Sequence, residues 1–138
     1  DRMSKENVAV IKGIYEAFGR GDVPAVLGAM TPDIVWNEAE NFPYADRNPY
    51  VGPQAVLEGV FGRVLADWEG FQVVPEEILD AGETTVVMLG RYRGTHKVTG
   101  KAKNPQIVHV WRITNGKASR FQQYADTLHT ARAAGIVA

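Results

Sequence analysis

The stretch 109–127, HVWRITNGKASRFQQYADT, carries the strongest fold signal in the chain. Two candidate strands, residues 106–114 and 118–125, lie on either side of Asn115-Gly116. Asn-Gly is the dipeptide most typical of a two-residue hairpin turn, because both positions of that turn require positive φ angles. The stretch therefore predicts a β-hairpin, and the residues after it predict a short helix over 127–134 that ends at Gly135.

The rest of the chain extends this pattern toward the N-terminus. Residues 71–79 and 84–95 are two further candidate strands, separated by a turn at 80–82. Apolar residues recur at spacings of three and four between Val8 and Phe18, which predicts a first helix. A short helix after Asp22, a brief strand at 34–36 and a helix opened by Gly52-Pro53 follow. Helices followed by a run of antiparallel strands predict an α+β fold.

Composition limits the kinds of function that are possible. The 138 residues correspond to one domain over 1–138. Since 15 Lys and Arg residues nearly balance 16 Asp and Glu residues, we expect binding to neither nucleic acid nor a membrane. The absence of Cys excludes disulfides, thiolate metal sites and cysteine nucleophiles. No local metal-binding or phosphate-binding motif is present either. We therefore expect a cytoplasmic protein that uses no metal and no organic cofactor.

The candidate strand 106–114 is apolar on both of its faces. Ile107, His109 and Trp111 share one face, while Val108 and Val110 share the other. An antiparallel sheet usually exposes one face to water, so a second apolar face is expected to be covered. We therefore expect a homodimer that forms through the outer face of the sheet.

Asp126 is the first candidate for a catalytic role. It follows Gln122 and Tyr124 at a spacing of two, which places all three side chains on one face of the strand. If that face is concave and shared with His109, a carboxylate lies in an apolar pocket, where burial raises its pKa and suits acid or base chemistry. The alternative is that Asp126 caps the helix that follows it.

His109 and Tyr15 are the other candidates. His109 is either a hydrogen-bonded histidine of the core or a donor that serves a ligand. Tyr15 lies on the apolar face of the first helix, where its hydroxyl is either satisfied in the core or directed at a carbonyl in a pocket. The long irregular segment 39–52 is a candidate functional loop. Aromatic residues that could form either pocket walls or ordinary core are Trp36, Tyr50, Phe61, Trp68 and Trp111.

The whole chain resembles the SnoaL-like group of the nuclear transport factor 2-like superfamily, which includes ketosteroid isomerases, polyketide cyclases and limonene epoxide hydrolases. The resemblance rests on IYEAFGRGDVPAVLGAMTPDIVW at 14–36, YVGPQAV at 50–56 and the stretch 109–127. It implies a cone-shaped fold, in which a strongly curved antiparallel sheet wraps around the N-terminal helices and leaves one deep pocket. It also implies a dimer through the outer sheet face.

The resemblance also suggests roles for individual residues. Asp126 matches the carboxylate that polyketide cyclases of this group use as acid and base. Tyr15 matches the tyrosine that holds the substrate oxygen in ketosteroid isomerases. The catalytic base of those isomerases falls at Asn37 and their protonated aspartate at His109. Because an amide cannot abstract a proton, a base would have to come from Asp126 or from Glu38, the neighbour of Asn37.

The sequence therefore predicts a cofactor-independent isomerase or cyclase that acts on a small, mostly apolar carbonyl compound. Asp126 is expected to move the proton, while Tyr15 and His109 hydrogen-bond the developing enolate. Gln122, Tyr124, Asn37 and the aromatic residues named above are expected to contact the substrate. The alternative is a non-catalytic module of the same fold that binds a small ligand or supports oligomerisation, so enzymatic activity itself stays open at this point.

Overall fold

The computed structural model describes residues 2–138, with side chains from Ser4 onward. Helices α1 (Arg2–Gly19) and α2 (Val23–Gly28) lead into strand β1 (Met30–Asn37). A 3-10 turn (Ala45–Arg47) and strand β2 (Tyr50–Val51) precede a helical segment made of α3 (Pro53–Val56), a π-helical turn (Leu57–Phe61) and α4 (Gly62–Asp67). The remaining elements are β3 (Trp68–Asp80), β4 (Thr85–His96), β5 (Ala102–Lys103), β6 (Gln106–Thr114), β7 (Lys117–Ala125) and α5 (Thr127–Ala133).

Two short-range signals in the sequence act as expected. The Asp22 carboxylate accepts a hydrogen bond from the Ala25 amide at 3.1 Å, which satisfies one of the free N–H groups at the start of α2. Asn115 and Gly116 join β6 to β7 with φ angles of 49° and 77°, the left-handed conformation that a two-residue hairpin requires. The predicted hairpin and the predicted α+β fold are confirmed.

The middle of the chain differs from the sequence-based expectation. A π-helical turn interrupts the helix that Gly52-Pro53 opens, and β3 begins at Trp68, before the expected start of that strand at residue 71. Segment 39–52 contains a 3-10 turn and a short strand, and it buries Phe42, Tyr44 and Tyr50. Burial of aromatic side chains stabilises this segment by roughly 1.5–3 kcal/mol per side chain, so it packs as part of the core.

The strands form one curved sheet in the order β2-β1-β7-β6-β4-β3, with β5 paired to β4. All neighbouring strands are antiparallel except β1 and β7, which are parallel. The register of β3 against β4 shifts twice, near Gly70 and near Pro75, and such irregularities bend a sheet. Beside the second shift, a Cβ on Gly90 would lie 2.3 Å from the Val74 carbonyl oxygen, so glycine permits the close approach there.

The concave face of this sheet carries the core. Ile107, His109 and Trp111 of β6 are buried on that face, whereas Val108 and Val110 are half-buried on the outer face. Helix α1 and the α3–α4 segment cover the concave face and leave a cavity between helices and sheet. The homodimer expected through the outer face stays a prediction.

Candidate functional site

The cavity has a volume of about 50 Å³ and walls that are mostly apolar and aromatic. This is room for roughly three to five water molecules, and it is about a third of the roughly 150 Å³ of an engineered cavity that binds benzene. Among the predicted pocket residues, Trp36, Phe61 and Trp111 line the cavity together with Tyr15 and His109. A single six-membered ring can therefore enter only if the side chains that line the cavity move outward.

A chain of hydrogen bonds crosses the cavity wall from α1 to β7. The indole N–H of Trp111 donates to the Tyr15 hydroxyl at 2.8 Å, and this hydroxyl lies 2.7 Å from Nδ1 of His109. Nε2 of His109 lies 2.7 Å from the hydroxyl of Tyr92, which accepts a hydrogen bond from the Gln123 amide at 2.7 Å. The structure thus brings Tyr15 and His109 together as the sequence predicts and adds Tyr92 and Gln123.

The number of protons in this array is fixed by its chemistry. Burial lowers the pKa of His109 to about 3 and raises the pKa values of Tyr15 and Tyr92, so the imidazole is neutral and both phenols are protonated. A neutral imidazole has one N–H donor and one acceptor nitrogen. His109 therefore accepts a hydrogen bond from the hydroxyl of one tyrosine and donates a hydrogen bond to the other, whose own hydroxyl proton remains available to a ligand.

Glu38 is the buried carboxyl group of the cavity, and its side chain is 2% exposed. Its Oε2 accepts a hydrogen bond from the Trp36 indole N–H at 3.0 Å. Burial raises the pKa of Glu38 to about 7, against the opposing effects of the Trp36 hydrogen bond and of the positive charges on Lys103 and Arg63. A carboxyl group with this pKa can both remove and return a proton near neutral pH.

The backbone around Glu38 is fixed by two amide side chains. Asn48 accepts a hydrogen bond from the Glu38 N–H at 3.0 Å and donates to the Glu38 carbonyl at 2.8 Å. The Gln123 Oε1 atom accepts from the Ala39 N–H at 3.1 Å. Segment 39–52 therefore contributes to the site by holding Glu38 in place.

Lys103 brings a second ionisable group into the same cavity. Its side chain is buried, and Nζ lies 3.8 Å from the centre of the Trp68 ring and 5.4 Å from that of Tyr92. Burial lowers the pKa of Lys103 to about 7, against the opposing effects of the negative charges on Glu38 and Asp67. Sequence reasoning did not find this residue, because neither the local pattern nor the spacing around β5 indicates burial.

The expectation that Asp126 lies in the cavity is wrong. Asp126 is exposed, and its carboxylate caps α5 by accepting a hydrogen bond from the His129 N–H at 3.1 Å. On β7 it is Gln123 that lies directly opposite His109, so Gln122 and Tyr124 point to the outer face instead. The cap was the alternative interpretation of Asp126, and it is the one the structure supports.

Three other predicted contact residues lie outside the cavity wall. Asn37 is the partner of Gln122 in the β1–β7 ladder and shares its outer face. The hydroxyl of Tyr50 donates to the Tyr44 carbonyl and accepts a hydrogen bond from Arg63 at 2.7 Å, behind the wall. Trp68 is buried behind Lys103 and contributes to the site through that side chain.

Other kinds of site receive no support from the geometry. Among residues 2–138, no three histidine or acidic side chains lie close enough together to hold a metal ion. Within the same range, no helix combines the length and apolar character needed to cross a bilayer. The cavity and its polar groups are therefore the candidate functional site.

The curved sheet, the helices on its concave face and the cavity between them define the class of protein, which is the nuclear transport factor 2-like fold. A family model for the SnoaL-like domain matches residues 11–121. The chain belongs to the SnoaL-like domain family, as its resemblance to that group implied. No curated protein matches the chain.

Solved structures agree with this assignment. An NTF2-like protein from Burkholderia thailandensis is 35% identical, with 92% of this chain and 95% of that chain covered and a TM-score of 0.87. A candidate polyketide cyclase from Xanthomonas campestris is 16% identical, with 96% and 98% covered and a TM-score of 0.80. A hypothetical protein with a ketosteroid isomerase-like fold from Catenulispora acidiphila, in complex with trimethylamine, is 16% identical, with 91% and 92% covered and a TM-score of 0.76. The last two share the fold of this chain.

Proposed function

We propose that the cavity catalyses proton transfer at a carbon atom next to the carbonyl group of a small, mostly apolar cyclic compound. The observation that carries this proposal is that Glu38, a buried carboxyl group with a pKa of about 7, lines the same cavity as Tyr15 and Tyr92, whose two hydroxyls share one imidazole. A base and a hydrogen-bond donor are the two groups that enolate chemistry needs. A fold shared with isomerases and cyclases of small molecules supports the same interpretation.

Each group has a defined part in this reaction. Ionised Glu38 removes the proton from the α-carbon, and the electron pair of the C–H bond moves toward the carbonyl oxygen. That oxygen becomes an enolate and accepts the free hydroxyl proton of Tyr15 or Tyr92 as a hydrogen bond. In a β,γ-unsaturated compound, protonated Glu38 then returns the proton to the γ-carbon, which moves the carbon–carbon double bond into conjugation with the carbonyl. Alternatively, the enolate carbon attacks a second carbonyl of the same molecule and closes a ring, and Glu38 gives its proton to the alkoxide oxygen that forms.

His109 serves this chemistry as a neutral group. Because its pKa lies near 3, it carries no charge at physiological pH and contributes hydrogen-bond geometry to the two tyrosines. Asp126, outside the cavity, has no part in the reaction. The proposal thus keeps Tyr15 and His109 from the sequence-based hypothesis and replaces Asp126 by Glu38.

The test uses single-ring cyclic ketones in deuterium oxide and measures exchange of their α-hydrogens by NMR. We expect the wild-type protein to accelerate exchange, with a rate that rises through pH 7 as Glu38 ionises and then levels off. The variant Glu38→Gln should lose roughly 10²–10⁴-fold of the acceleration, since it removes a general base. The matched control is Glu40→Gln, two residues away and exposed, which should retain the wild-type rate.

Two results would contradict the proposal. One is a Glu38→Gln variant that is folded and exchanges ketone hydrogens as fast as the wild type. The other is a wild-type protein that binds these ketones without accelerating exchange, and this result would favour the alternative of a non-catalytic ligand-binding module.

A further inference from the structure

Lys103 has a property that the proposed proton transfer does not use. Its side chain is 3% exposed, it lines the cavity, and its Nζ atom has no hydrogen-bond partner within the described part of the chain. A lysine ammonium group has three N–H donors, and an unsatisfied buried charge is strongly unfavourable. Such a group is therefore expected to meet an acceptor when the cavity is filled.

The aromatic rings around Lys103 attract a positive charge, which partly offsets the cost of burial, but they do not supply that acceptor. Nζ lies 3.8 Å from the ring centre of Trp68, 5.0 Å from Phe71 and 5.8 Å from Phe42. The electron-rich faces of such rings attract a cation but do not replace hydrogen bonds from oxygen atoms. The cage thus leaves the N–H groups of Lys103 free for a ligand.

Glu38 does not fill this role in the structure. It influences Lys103 electrostatically, but its Oε2 atom is already bound to the Trp36 indole, and no hydrogen bond joins Glu38 to Nζ. Near the lysine cage, the tyrosine array also offers a donor, because one hydroxyl proton is left over after His109 has made its two hydrogen bonds. The Lys103 ammonium group and one tyrosine hydroxyl therefore have hydrogen-bond donors without a partner among the residues that the structure describes, which favours a ligand with negatively charged oxygen atoms.

We propose that Lys103 binds a carboxylate group, so that the ligand of this cavity is a small carboxylic acid with one ring or a comparable apolar body. This inference deepens the proposed function by naming the ligand class, and it rests on the proposed function in taking the cavity as the reaction site. Binding can nevertheless be measured without turnover, so that the two proposals fail separately.

Binding of a carboxylate has a defined linkage to pH. Charged or titratable groups that face Lys103 from the elements packed around it are Glu38, Asp67, Tyr92 and His96, the last through its ring contact with Trp68. Lys103 is half-protonated near pH 7 in the free protein, and a bound carboxylate favours the ammonium form. Above pH 7, binding must therefore take up a proton, and affinity should fall about tenfold for each further pH unit.

The experiment compares benzoate with benzamide, its neutral counterpart, by calorimetric titration of the whole chain. We expect wild-type protein to bind benzoate more tightly than benzamide at pH 6. The variant Lys103→Met should weaken benzoate binding roughly 10- to 100-fold, the range for loss of a hydrogen bond to a charged group, and should change benzamide binding less than about 3-fold. The control variant Lys101→Met, which changes an exposed lysine two residues away, should bind both compounds as the wild type does.

A measurement on the wild type alone keeps the inference testable if Lys103→Met does not fold. Titration at pH 8 in buffers with different ionisation enthalpies should show uptake of close to one proton with benzoate and none with benzamide. Absence of benzoate binding, equal binding of the two compounds, or unchanged benzoate affinity in a folded Lys103→Met variant would each overturn the inference. If the protein still exchanges ketone hydrogens in that case, the proposed function stands without it.

Discussion

Neutral, buried His109 should make the stability of this protein strongly dependent on pH. The perturbation is a change from pH 8 to pH 5, applied to the wild type and to His109→Gln, which cannot titrate but retains a donor and an acceptor for Tyr15 and Tyr92. In the folded state the pKa of His109 is about 3, whereas in the unfolded chain it has the ordinary value of 6.5. The unfolded state therefore binds a proton below pH 6.5 that the folded state does not accept, and stability is lost as the pH falls.

The magnitude follows from the difference between the two pKa values. At pH 5 the unfolded chain is roughly 1.5 pH units below the ordinary pKa, so the wild type loses about 2 kcal/mol relative to neutral pH. The loss grows to about 4 kcal/mol near pH 3, where the folded state begins to bind the proton as well. The variant His109→Gln lacks this linkage. Between pH 8 and pH 5 the wild type should therefore lose about 2 kcal/mol more unfolding free energy than His109→Gln does.

Urea unfolding followed by tryptophan fluorescence and circular dichroism measures this difference. Both proteins contain the same carboxyl groups, so their general acid sensitivity cancels when the free energies of unfolding are subtracted. A difference that stays constant within about 0.5 kcal/mol from pH 8 to pH 5 would refute the reasoning, since it would mean that His109 accepts a proton in the folded state as easily as in the unfolded state.

Two further substitutions test other parts of the structure. In Gly59→Ala, the new Cβ would lie 2.2 Å from Cε1 of buried Tyr50. Thermal unfolding should therefore show that the free energy of unfolding falls by about 1–3 kcal/mol. The control is Gly13→Ala on α1, where the new Cβ has open space and the substitution should be neutral or stabilising. In Asp126→Ala, loss of the α5 cap should cost about 1 kcal/mol in urea unfolding and leave ketone hydrogen exchange unchanged. Exchange reduced tenfold or more in a folded Asp126→Ala variant would return Asp126 to the reaction.

The fold was predictable because its signals are short-range. Asn115-Gly116 requires no information beyond the two residues to indicate a hairpin, and Asp22 caps a helix through an amide three residues away. The π-helical turn after Val56 was not predictable in this way. At its centre, Gly59 packs against the ring of Tyr50, a contact that depends on the path of segment 39–52.

The candidate site was only half predictable, because face assignment depends on strand register. A spacing of two shows that Gln122, Tyr124 and Asp126 share a face, but not which face is concave. The register of β6 against β7 pairs His109 with Gln123, which places Gln123 on the concave face. A shift of one residue would have placed Gln122 and Tyr124 on that face instead. Glu38 had a partial signal as the neighbour of Asn37, while the burial of Lys103 arises from contacts with distant rings.

The symmetry of the tyrosine array has a stereochemical consequence. Tyr15 and Tyr92 flank the same imidazole at equal distances of 2.7 Å, and each hydroxyl receives one fixed N–H donor, from Trp111 or from Gln123. When the imidazole proton of His109 moves from Nε2 to Nδ1, the hydroxyl proton that is free for a ligand changes from that of Tyr92 to that of Tyr15. No heavy atom changes its position. A carbonyl oxygen can accept a hydrogen bond from either Tyr15 or Tyr92, so the array itself imposes no single orientation on a ring-shaped ligand. The stereochemistry of the product would then depend on the face of the bound ring that Glu38 contacts.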